Sequence, residues 1–167
     1  AVDETFTEVL ITDLHVAASR QLSIRRIAEY LSAELLGQLL ERDVEVRLLD
    51  KIARGLALKD FVVQPRRFRG ARIEGLSDLP VPGFSTARTE LYLLPQEDPL
   101  EARVSLASMG TIVCEDIGRL DGMGLDHAPW AGGAIEGLVD FADLEVAPGS
   151  RRGFVPTPAA LALADAL

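Results

Sequence analysis

The sequence predicts an α/β fold bordering on α+β: a mixed β-sheet with helices packed on one face. Three observations lead there. A strand, a helix and a second strand open the chain, the usual start of such a layer. Short runs rich in β-branched and aromatic residues then recur, separated by Gly- and Pro-bearing turns. The chain of 167 residues closes on a capped helix, and its 48% apolar and 26% charged composition is ordinary for a folded domain.

The elements follow in order. Glu8 to Leu14 (EVLITDL) is a β-branched run and reads as a strand. Ser23 is a natural N-cap, and Ile24, Ile27, Leu31 and Leu35 follow at helical spacing, widened by Ala28, Leu36 and Leu39. That helix is expected to run to about Leu40, weakened slightly by Gly37. Val44 to Leu49 and Leu58 to Val63 read as strands, the second closed by Pro65, with Arg67 to Glu74 as its pairing partner.

Gly75 to Phe84 holds two prolines and two glycines and reads as a loop. Thr86 to Leu94 is a strand that ends at Pro95. Arg103 to Ala107 and Thr111 to Cys114 form a hairpin with Gly110 in its turn. Ile117 to Gly133 carries five glycines and one proline, so it reads as a long loop, anchored by Trp130. Ala134 to Phe141 is the last strand. Thr157 then caps a helix with Pro158 at its first position. Its apolar face must pack on the sheet or on something beyond this chain. Residues 1–167 read as a single domain, with 15–155 as sheet-and-helix core and 156–167 as terminal helix.

Charge narrows the partners. The chain has 26 acidic and 17 basic residues, a net charge of −9. Nucleic acid and anionic membrane surfaces are disfavoured on average. No run approaches the length of a membrane span, and AVDETFTEVL lacks the basic and apolar parts of a signal peptide. The expected location is cytoplasmic. Cys114 is the single cysteine and, inside an apolar run, reads as a buried structural thiol. His127 beside Asp126 reads as a loop hydrogen-bonding group, since two ligands do not make a metal site. A site joining Asp126, His127 and Cys114 would require all three to converge. Arg66, Arg67, Arg69 and Arg72 read as a solvated strand edge.

The segment from Gly137 to Phe154 (GLVDFADLEVAPGSRRGF) is the most informative. An apolar strand ends in acids, and a Pro-Gly turn then presents Ser150, Arg151 and Arg152. Two guanidinium groups on a Gly-flanked loop of an acidic protein point to an anion, with a nucleotide phosphate as the candidate. The bland alternative is a pair of solvated turn arginines balancing Asp143 and Glu145. The chain holds neither GxxxxGK[ST] nor GxGxxG, and no G-x-S-x-G elbow.

Three segments resemble, in order, the ninety-kilodalton heat-shock chaperones (HtpG-type) of the GHKL ATPase superfamily. FTEVLITDL is similar to the strand closing that family's ATPase domain, so residues 1–14 would be the end of such a domain. SIRRIAEYLSAELL resembles the helix after it, and GAIEGLVDFADLEVAPGSRRGF resembles the family's strand and catalytic loop. The resemblance implies a middle, transducer-type domain of split βαβ form, like a ribosomal small-subunit protein and like the domains following the ATPase domain in MutL and type II topoisomerases. It implies that Arg151, with Arg152 and the loop residues Gly149 and Ser150, reaches the γ-phosphate of ATP, with its Mg, held mainly by an N-terminal ATPase domain. A client protein, a homodimer in the parent and a role in stress response are implied with it. Arg152 stands where the family has an acid. Neither the Glu/Asn helix nor the Asp-x-Gly-x-Gly loop of the nucleotide-binding half occurs in this chain. The contrasting reading, drawn from the long Gly-rich loop, is a stand-alone protein-interaction module without catalysis.

Overall fold

The computed structural model describes residues 15–16, 22–41, 45–51, 58–120, 122–149 and 153–167. The strand expected over 8–14 lies outside them. A mixed sheet with a few helices, the class read from the sequence, is what these residues form.

Ser23 caps α1 (Ile24–Glu34) by accepting a hydrogen bond from the Arg26 backbone N–H at 3.4 Å. The expected single helix is interrupted at Leu35, where φ −101° and ψ 19° leave the helical region, and it resumes as α2 (Leu36–Glu41). Just beyond this point α2 comes close to the facing hairpin. A Cβ on Gly37 would sit 2.7 Å from the Gly110 Cα, so only glycine lets α2 lie on the turn of the facing hairpin.

β1 (Arg47–Lys51) and β2 (Leu58–Val62) pair antiparallel as a two-stranded ribbon of their own, with Leu48 opposite Phe61. The Ser32 hydroxyl ties α1 to the chain leaving this ribbon by donating to the Gln64 carbonyl at 2.7 Å. Arg67 to Glu74 does not pair with β2 as expected. Its strand, β3 (Ala71–Arg72), pairs with β5 (Ala87–Leu93). Two contacts draw it there: the Phe68 ring lies 5.3 Å from that of Tyr92, and Arg69 binds Glu136. The expected loop 75–84 contains a short strand, β4 (Asp78–Leu79), also on β5.

β6 (Val104–Ser108) and β7 (Thr111–Cys114) form the expected hairpin. Met109 and Gly110 both have positive φ, 51° and 81°, the signature of a two-residue turn matched to strand twist. β8 (Ile135–Asp140) inserts between β5 and β6, antiparallel to the first and parallel to the second. The six-stranded sheet therefore runs β3-β5-β8-β6-β7, with β4 on β5.

Alternation along β8 divides its side chains. Ile135 and Val139 join Leu91, Val104, Leu106 and Phe141 in the main core, which α3 (Pro158–Ala166) covers with Ala159, Ala160 and Leu163. Leu138 faces the other way and joins Leu36, Ala107 and Ile112 under α2. The helices are thus shared between both faces, because each face carries its own apolar cluster. Thr157 caps α3 and Pro158 starts it, as the sequence predicts, and the helix packs back on the sheet. The long loop 117–133 is well packed: Ile117, Met123, Leu125 and Trp130 all enter the main core. Among the described residues no helix is long and apolar enough to cross a membrane.

Candidate functional site

The arginine loop grows from a firm base. After β8, Phe141 is fully buried and Leu144 nearly so. Between them the Asp143 carboxylate accepts a hydrogen bond from the Ser85 backbone N–H at 2.7 Å, which fixes the turn against the lead-in to β5. Val146 then bridges Phe154 antiparallel. The Ala147 N–H donates to the Gly153 carbonyl at 3.1 Å, and the Val155 N–H donates to Glu145 at 2.8 Å. The Gly153 N–H donates to the Val113 carbonyl of β7, so the loop's neck sits at the outer edge of the sheet. Past Val155, α3 returns the chain to the core within a few residues.

Gly149 is exposed and has φ 95°, a conformation that residues other than glycine rarely adopt. A Cβ there would meet nothing within 4 Å, so glycine serves the turn and not a close contact. Ser150, Arg151 and Arg152, the residues on which the phosphate reading depends, lie outside the described residues.

The other candidates separate. Cys114 is half-buried at the end of β7, and its thiol donates to the Asp116 carbonyl at 3.4 Å. Burial pushes the thiol pKa up, the opposite of what a nucleophile needs. His127 is exposed, with Nδ1 2.7 Å from the Ala128 carbonyl oxygen, a loop contact as its sequence position indicates. Among the described residues no group of three or more His, Cys, Asp and Glu is arranged to hold a metal ion.

Of the basic cluster, Arg69 is exposed to solvent as expected, but its guanidinium is also committed to carboxylates. Its Nε and Nη2 each lie 2.9 Å from Glu136 Oε2, its backbone N–H donates to Oε1, and its Nη1 lies 2.8 Å from Asp98. Glu136, the second residue of β8, is completely buried. A carboxylate there requires a charge partner, and Arg69 supplies it, its guanidinium on Oε2 and its backbone N–H on Oε1. The hydrogen bond from Arg69 holds the Asp98 carboxyl below its ordinary range, and the hydrogen bonds to Glu136 and then to Asp98 push Arg69 up. Sequence reading passed over Glu136 because its strand looks apolar. An acid inside such a run was the available signal.

Compared with known proteins, the chain matches no family model, and no curated protein matches it.

Proposed function

We propose that this chain is a middle, transducer-type domain that lends Arg151 to a phosphate group held by another domain, as the resemblance to chaperone-like GHKL ATPases implies. The observation that carries the reading is the neck of the loop. Val146 and Phe154 pair, Ala147 and Gly153 hydrogen-bond beside them, and Gly149 is exposed with a left-handed backbone. Clamping a loop at its base lowers the entropy lost when that loop meets an anion.

The chemistry suits the residue. A guanidinium contacts phosphate oxygens bidentately. An arginine supplied from outside a nucleotide site raises phosphoryl transfer by roughly 10³–10⁵-fold through stabilisation of transition-state charge. Lent across a domain boundary, it also makes ATP a clamp between domains and hydrolysis a release. Within this reading, the partner is the ATPase domain of the same parent protein, and Mg-ATP is bound mainly there.

Calorimetric titration of the 167-residue chain with Mg-ATP tests the division of labour. The expected result is affinity no tighter than millimolar. A micromolar Kd would place the nucleotide site within this chain and contradict the proposal.

A further inference from the structure

The arginine loop and α2 meet on the same short strand. β7 is four residues long and lies at the outer edge of the sheet. At its start, Gln38 of α2 donates a hydrogen bond from Nε2 to the Thr111 hydroxyl at 3.2 Å. The preceding turn makes room for it: a Cβ on Gly110 would sit 2.8 Å from the Gln38 Cγ. Further along the strand, the Val113 carbonyl accepts the Gly153 N–H from the neck of the loop. The ladder sets Val113 apart. Leu106 pairs with Cys114 and Ala107 with Ile112, so Val113 is an extra residue without a counterpart on β6. Bulges of this kind bend the strand and recur beside functional sites.

We propose that Gln38 is a positioning residue: through Thr111 and β7 it fixes where the neck of the arginine loop sits. Thr111 and Val113 are separated by about 7 Å of extended chain, too short a span to absorb a shift. α2 lies on the β6–β7 turn by glycine–glycine contact, and close-packed groups pass displacement on. A displaced α2 therefore carries Thr111 with it. The neck follows through Val113, while the bond from Ala147 to Gly153 keeps the two arms of the loop together. The effect on catalysis rests on the phosphate reading above, and the link between α2 and the neck does not.

Gln38→Leu removes the donor and Thr111→Val the acceptor, and amide hydrogen exchange at Gly153 reads the neck. Gly153 should exchange by local opening, faster than Val139 in the central strand β8, which waits for global unfolding. Each variant should speed exchange at Gly153 by roughly fivefold, the worth of one hydrogen bond. The two changes together should be no faster than either alone. Thr111→Ser keeps the hydroxyl and should restore the original rate. A bond that only stabilises the fold would speed Val139 and leave Gly153 unchanged. In the parent protein, Gln38→Leu should lower the kcat for ATP hydrolysis several-fold with KM unchanged. Unchanged exchange at Gly153, exchange there as slow as at Val139, or no rescue by Thr111→Ser would overturn the proposal. So would an intact kcat in Gln38→Leu where Arg151→Ala loses its own. If Arg151→Ala keeps full activity, the phosphate reading falls, and exchange at Gly153 alone decides the positioning role.

Discussion

The two faces of the six-stranded sheet are built on different principles. Under α3, Leu91, Val104, Leu106, Val139 and Phe141 meet Ala160 and Leu163 in a cluster that is almost entirely carbon. Under α2 the apolar cluster is small, and the same strands present Arg88, Glu90, Tyr92, Glu136 and Asp140. One face supplies area, where stability grows with buried carbon. The other face supplies charge, where the buried Glu136 depends on Arg69. The difference teaches where to look for chemistry: a face that buries carboxylates in a sheet has the means to recognise something.

Truncation should separate the faces most strongly. Leu106→Ala, at a position 1% exposed in the main core, should cost about 4–5 kcal/mol in denaturant unfolding. Leu138→Ala, in the smaller cluster, should fall near the lower end of the range, about 2–3 kcal/mol. Equal losses would mean that the α2 face is as well packed as the α3 face, and the contrast would fail.

Arg69→Met should be next in size. It strands Glu136 without its cation and should lower Tm by roughly 5–10 °C by thermal unfolding at neutral pH. The sign of the pH dependence follows from Asp98. Its folded-state pKa lies below its unfolded value, chiefly through the Arg69 hydrogen bond. The stability this contributes is present above about pH 4 and is lost as pH falls through the folded value. Tm measured against pH should therefore drop on acidification in the parent chain and drop less steeply in Arg69→Met. A parallel curve for the two would remove Asp98 from the linkage.

The smallest effect is a gain. Ser108 is buried at the end of β6, and its hydroxyl oxygen finds no hydrogen-bond partner among the described residues. Ser108→Ala should stabilise by about 1 kcal/mol, since it removes an unpaired polar atom without emptying the site. Destabilisation on replacement would reveal a partner for that oxygen.

What the sequence made legible was local. Ser23, and Thr157 with Pro158, announce helix starts through their own chemistry, and Met109-Gly110 between two apolar runs announces a tight turn. What it hid was distant. Arg69 and Glu136 are 67 positions apart, and nothing in either segment names the other. The insertion of β8 between β5 and β6 is likewise a matter of long-range register. The close seat of α2 on the hairpin depends on a glycine far along the chain, Gly110, meeting Gly37. At the candidate site, the Pro-Gly turn and the loop's position after the last strand were readable. The pinning of its neck to Val113 was not, because the β7 edge is a tertiary neighbour.

The central claim is that Arg151 acts on a phosphate in the transition state. Steady-state ATP hydrolysis by the parent protein, wild type against Arg151→Ala, tests it most directly. The account predicts a kcat lower by roughly 10³-fold or more with the KM for ATP nearly unchanged. Equal losses in both, or no loss in either, would contradict it.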